Sequence, residues 1–213
     1  MDWTSHLPLI AILRGISPEE TSAHVGALVD AGFDAIEIPL NSPDWPQSIA
    51  IAVREFGERA LIGAGTVLRE DDVDRLAALG ARLIVTPNTR PALIRHAVAR
   101  GLYVCAGFAT ASEAFEALDA GAHALKLFPA STHGPGHIRA IKATLPPTPV
   151  FAVGGITSTN LADYMAAGCV GAGLGSDLYE AGQPIDRTRE MAQRFINAYH
   201  QASIVHDRDR LGH

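Results

Sequence analysis

Only two of the 17 basic residues in this chain are lysines, and one of them, Lys126, interrupts an apolar run, Ala124-Leu125-Lys126-Leu127-Phe128-Pro129. If the run is a strand, alternate side chains face opposite ways. Leu125 and Leu127 then point one way, and Ala124, Lys126 and Phe128 the other. A strand covered on both faces buries Lys126 or sets it in a cleft. Lost hydration lowers the pKa of an amine from about 10.4 towards the range where the neutral form attacks a carbonyl. Apart from Lys142, the remaining basic residues are arginines, which cannot serve as amine nucleophiles. Lys142 shares a helical-looking segment with Arg139 and reads as a solvated charge. The bland reading of Lys126 is a strand-end lysine snorkelling to water. Against it, buried unpaired lysines are rare without a purpose.

Glu37 is the natural companion for such an amine. It lies between Ile36 and Ile38, so it faces away from both, together with Ala35. It reads either as a structural ion-pair partner of Arg14 or Lys126, or as a general acid/base beside the lysine. Two glycine motifs, Val153-Gly154-Gly155-Ile156-Thr157 and Gly173-Leu174-Gly175-Ser176, suit a phosphate site, because glycine lets backbone N–H groups approach an anion closely. The competing reading is tight turns and strand–helix packing. His133-Gly-Pro-Gly-His137 spaces two possible metal ligands, but glycine and proline between them spoil a helical ligand face, and no carboxylate or cysteine completes the set. His24, His96 and His123 read as ordinary helix or loop residues, and Ser176 has no evident histidine partner for a triad.

The elements that must position these groups alternate through the whole chain. Short apolar runs at residues 9–13, 35–40, 60–66, 83–87, 103–107, 124–129, 150–155 and 171–176 read as strands. Helical patterns follow them, at about 17–31, 45–56, 70–79, 91–100, 112–120, 137–145, 158–167 and 187–202. Ser17-Pro18-Glu19-Glu20 has the form of a capping box with proline at the first helical position. Residues 206–213 read as a polar, frayed tail after a domain spanning 1–205. Alternating βα units imply a parallel sheet with helical crossovers. Eight of them, with no composition break, fit a single compact α/β domain, a (β/α)₈ TIM barrel, better than an open doubly wound sheet. No G-x-G-x-x-G opens a helix after the first strand, which lowers the case for a dinucleotide fold. Barrel chemistry gathers at the C-terminal strand ends. Here those ends hold Arg14, Glu37, Thr66, Thr86-Pro87, Gly107, Lys126 and the two glycine motifs.

Bulk composition narrows the class. A chain of 213 residues, 47% hydrophobic and 19% charged, can bury one sizeable core. A formal net charge of -6 without a basic stripe argues against nucleic acid. No apolar run approaches the roughly 20 residues of a membrane span, and the N-terminus lacks the basic region and cleavage site of a signal peptide. Cys105 and Cys169 read as reduced core residues. These features point to the cytoplasm.

Taken together, Ala11-Ile12-Leu13-Arg14-Gly15-Ile16, Glu37-Ile38-Pro39-Leu40-Asn41-Ser42, Gly63-Ala64-Gly65-Thr66-Val67-Leu68, Thr86-Pro87-Asn88, Lys126-Leu127-Phe128-Pro129 and Val153-Gly154-Gly155 carry a resemblance. From about residue 7 to 183 the chain resembles the 2-keto-3-deoxy-phosphosugar aldolases, class I enzymes on a small (β/α)₈ barrel. It looks like the branch acting on 2-dehydro-3-deoxy-6-phosphogalactonate rather than the gluconate branch. The gluconate enzymes carry an arginine where this chain has Asn41 and a threonine where it has Val153. The two substrates are C4 epimers, and a hydroxyl that valine lacks can shift preference between them.

The resemblance implies that Lys126 forms an iminium with the C2 ketone and that Glu37 moves the protons. It implies that Arg14 and Thr66 contact the carboxylate and hydroxyls, that Pro87 lines the site, and that Gly154, Gly155, Gly175 and Ser176 hold the phosphate. The covalent lysine stands in for a metal, so no cofactor is expected. The expected partners are a small phosphorylated sugar acid and pyruvate, with no nucleic acid or membrane, in a homotrimer. Rival readings are gluconate-type or 4-hydroxy-2-oxoglutarate activity on the same scaffold, a non-catalytic phosphosugar-binding barrel, and a phosphosugar epimerase.

Overall fold

A computed structural model describes residues 6–211, with side chains described as far as residue 204. Eight strands run in order around a closed barrel. They are β1 (Leu9–Ile12), β2 (Ala35–Pro39), β3 (Leu61–Gly65), β4 (Leu83–Val85), β5 (Tyr103–Phe108), β6 (Ala124–Leu127), β7 (Val150–Val153) and β8 (Gly171–Leu174). The crossover helices are α1 (Pro18–Ala31), α2 (Trp45–Phe56), α3 (Glu70–Ala78), α4 (Pro91–Ala99), α5 (Ala111–Asp119), α6 (Ala130–Lys142), α7 (Leu161–Ala166) and α8 (Ile185–Leu211). Every neighbouring pair is parallel, and β8 returns to β1 with Ile10 opposite Gly173. The TIM-barrel expectation holds, and closure rules out the open sheet.

Strand alternation sorts the apolar residues into two layers. Leu9, Ala11, Ile36, Ile38, Leu125 and Leu127 face outwards into the helix-covered core. Ile10, Ile12, Ala35, Leu83, Val85, Cys105, Ala124, Phe151 and Val153 face inwards and form one cluster inside the barrel. The position two residues beyond Ala35 and Ala124 is Glu37 and Lys126 respectively. Both are therefore carried on the inner face, above an apolar floor.

Local signals account for most helix ends. The backbone N–H of Ser17 donates to the Glu20 carboxylate at 3.3 Å, as a capping box requires. Gly32 closes α1 at φ 113°, donating to the carbonyls of Leu28 and Val29. Three boundaries differ from expectation. Helix α6 begins at Ala130 rather than 137, and Gly134 (φ 75°, ψ 168°) beside Pro135 breaks it in two. Helix α7 begins at Leu161 rather than 158. Before it, Thr157 N–H donates to Asn160 Oδ1 and Asn160 Nδ2 donates to Gly155 O, both at 2.9 Å, so side chains hold a turn where the pattern suggested helix. Helix α8 continues past Ala202 to Leu211, because no glycine or proline stops it. The expected frayed tail is thus helical backbone through residue 211, and residues 212–213 lie outside the described residues. Cys105 and Cys169 are free and buried.

Candidate active site

Lys126 is brought to the inner face near the end of β6, where only 5% of it stays exposed. Its Nζ lies 4.9 Å from the centroid of the Phe128 ring. Burial pulls the amine below its ordinary pKa. The Glu37 carboxylate opposes that shift, and the Arg14 guanidinium adds to it. Glu37 is buried more deeply, at 1% exposure. Burial pushes its carboxyl up to about 7, against the pull of Lys126 and Arg14. Its Oε2 is buried without a hydrogen-bond partner. No hydrogen bond fills that valence, although Lys126 and Arg14 act on the carboxyl through charge. Cys105 sits on the same inner face, its thiol pushed up to about 12 by burial and so kept protonated.

Above these groups opens a cavity of about 660 Å³. It brings together Arg14, Thr66, Pro87, Lys126, Val153, Gly154, Gly155, Gly175 and Ser176, from the ends of β1, β3, β4, β6, β7 and β8. Of the expected site residues only Glu37, 1% exposed, is absent from the lining. Thr66 takes φ 56°, a costly conformation for a β-branched residue and one that concentrates at functional sites. Arg14 is exposed at the mouth, and its Nη1 donates to Asn41 Oδ1 at 2.7 Å. The neighbouring Gly15 N–H donates to Ser42 Oγ at 2.9 Å, so the loop after β2 steadies the loop after β1. Pro87 follows Thr86, whose buried Oγ1 accepts from Gly107 N–H at 3.0 Å and donates to Asn88 O at 2.7 Å.

Gly154 and Gly155 both hold positive φ, at 93° and 73°. A Cβ on Gly155 would approach that of Ser131 to 2.6 Å. Conformation and crowding both require glycine there, as the turn reading of this motif expects. The cavity also reaches Asp177 and Glu180, two carboxylates that sequence reasoning did not select. They follow the last strand without a motif, and only the fold brings them to the rim. His133 and His137 stack on one another, and no group of three metal-ligating side chains occurs among the described residues. A second cavity, of about 530 Å³, opens near the N-terminal strand ends between His6, Asp34, Arg59, Arg82 and Tyr103. Its lining carries local pairs such as His6–Asp34 and Arg59–Asp30, and it holds no lysine.

A parallel eight-stranded barrel with a buried lysine and a buried carboxyl near the C-terminal strand ends defines a class: the (β/α)₈ barrels, which gather their functional groups at that face. The chain belongs to the KDPG and KHG aldolase family, whose model matches residues 2–191. It is 61% identical over 203 residues to the 2-dehydro-3-deoxy-6-phosphogalactonate aldolase of Escherichia coli (strain K12), covering 95% of this chain and 99% of the relative. Among solved structures it superposes on a native KDPGal structure with a TM-score of 0.94 at 60% identity, over 95% of this chain and 99% of the other. It also matches, with a TM-score of 0.94 at 59% identity over 96% of this chain and 76% of the other, a cube-shaped protein cage designed by fusing symmetric oligomeric domains.

The raised pKa of Glu37 links folding to pH. Between 4.5 and about 7 the folded chain keeps a proton on Glu37 that the unfolded chain has lost, so stability falls as pH rises through that window. The full difference is about 3 kcal/mol. Glu37→Gln removes the titration. Chemical denaturation at about pH 4.5 and about pH 7.5 is expected to show the variant gaining about 3 kcal/mol on the parent at the higher pH. An unchanged difference would contradict the burial argument.

Proposed function

We propose that the chain is a class I aldolase that reversibly cleaves 2-dehydro-3-deoxy-6-phospho-D-galactonate to pyruvate and D-glyceraldehyde 3-phosphate, in galactonate catabolism. The observation that carries this reading is the placement of Lys126 and Glu37 on one dehydrated inner face, below a cavity that already holds two glycine motifs. The high identity to the Escherichia coli relative supports the substrate.

In the proposed cycle the neutral Lys126 amine attacks the C2 ketone, and the carbinolamine loses water to form an iminium. The iminium accepts the electron pair of the C3–C4 bond as that bond breaks. The C4 hydroxyl proton passes to Glu37 through a water, and glyceraldehyde 3-phosphate leaves. Glu37 returns the proton to C3 of the enamine. Water then hydrolyses the iminium, frees pyruvate and restores the amine, so one water is released and one consumed. Arg14 and Thr66 bind the carboxylate and hydroxyls, and Pro87 walls that side. Gly154, Gly155, Gly175 and Ser176 bind the phosphate through the approach that glycine allows. Val153, 5% exposed on the inner face, offers a methyl surface near C4 where a threonine would offer a hydroxyl.

The enzyme is proposed to work as a cytoplasmic homotrimer. The likeness to a cage designed from symmetric oligomeric domains supports an oligomer. No helix of the described residues is long and apolar enough to cross a membrane.

Kinetics on both C4 epimers test the assignment. The galactonate epimer is expected to have the higher kcat/KM, and equal or reversed values would refute the branch. Lys126→Met is expected to abolish turnover of both while leaving the fold intact by circular dichroism. Val153→Thr is expected to move the preference towards the gluconate epimer by about tenfold, the scale of one hydrogen bond. A ratio that does not move would remove Val153 from specificity.

A further inference from the structure

We propose that Gly65 is a positioning residue for Glu37: a bare stretch of β3 backbone is the wall against which the catalytic carboxylate is set. This inference rests on the proton-transfer role proposed for Glu37.

A Cβ built on Gly65 would overlap the Glu37 carboxylate, meeting Oε2, Cδ and Oε1 all closer than the 3.0 Å that real Cβ atoms respect. The usual reason for a glycine is absent, because Gly65 is not among the positive-φ glycines. A glycine within a strand otherwise weakens it, and marks places where another group comes close to the backbone. Here that group is a carboxylate with no hydrogen bond to Oε2 to hold it. Packing against the strand backbone therefore helps fix where the carboxylate sits. The wall itself is fixed to the strand that carries Glu37: Gly65 is in register with Pro39, and its carbonyl accepts from Leu40 N–H at 2.9 Å. Immediately afterwards Thr66 turns the chain away at φ 56°.

The overlap is with the end of a flexible side chain rather than with backbone. Gly65→Ala should therefore fold and displace the carboxylate, whereas a methyl on Gly107 would run into the backbone of Pro87. Displacement by about 1 Å of a group that transfers protons can cost on the order of 100-fold.

The test is a double-mutant cycle on the full chain, comparing the parent, Gly65→Ala, Glu37→Asp and the double variant. Aspartate is one methylene shorter and withdraws from the added methyl. The readouts are kcat for cleavage and the exchange of pyruvate methyl protons with deuterium oxide, with borohydride trapping of pyruvate on Lys126 after equilibration. With Glu37 in place, Gly65→Ala is expected to lower kcat and exchange by about 100-fold. Lysine trapping should persist, and the pH limb due to Glu37 should move to lower pH as the carboxylate gains water. In the Glu37→Asp background, the same alanine is expected to cost less than about fivefold.

Equal losses in the two backgrounds would overturn the inference, as would no loss beside Glu37 or unfolding in both. Glu37→Gln separates the two levels. If it keeps parental kcat and exchange, the proton role falls and takes the inference with it. If it is inactive while the cycle shows no coupling, only the Gly65 inference falls.

Discussion

Closing eight parallel strands into a ring removes water from its interior, and the site depends on what that dehydration does to two charges. An ammonium and a carboxylate both lose hydration there, so burial lowers the proton affinity of Lys126 and raises that of Glu37. Their ordinary values differ by about six units. Burial draws them together, while their mutual attraction keeps either from becoming wholly inert. An amine that can lose its proton and a carboxyl that can gain or lose one near neutrality are what the proposed carbinolamine and enamine chemistry requires. The barrel thus needs no unusual residue, only ordinary ones held where water does not dominate.

The architecture serves this constraint in layers. Aliphatic side chains and Phe151 fill the lower barrel and give the two polar groups a dry floor. Glycine also stands where a side chain would collide with a functional group or backbone, at Gly65 beside Glu37 and at Gly107 beside Pro87. At the rim, the loop after β2 holds Arg14 through Asn41 and holds Gly15 through Ser42. Position 41 thus steadies a guanidinium at the rim.

Much of this was legible in the residue order, for physical reasons. Period-2 alternation is strict in a strand, so Leu125 and Leu127 outside force Lys126 inside, and Ile36 and Ile38 do the same for Glu37. The capping box at Ser17 and the closing Gly32 are local signals with local effects. What escaped notice depends on contacts between distant segments or on competing bonds. The turn before α7 is held by Asn160 reaching back to Gly155, which no periodicity reveals. The break in α6 was expected to be its beginning, because Gly134-Pro135 signals interruption without saying that helix resumes on both sides. The length of α8 follows from missing stop signals rather than from a positive pattern. Asp177 and Glu180 reach the cavity, and Gly65 meets Glu37, only once the barrel has closed.

On the proposed function, a dehydrated amine inside this ring makes a carbon–nitrogen double bond with a 2-oxo acid. Incubation with pyruvate and borohydride, followed by peptide mass analysis, tests it most directly. The account predicts one reduced pyruvyl adduct per chain, carried by Lys126 and blocked when that residue is replaced by methionine. An unmodified chain, or an adduct on Lys142 with Lys126 untouched, would contradict it.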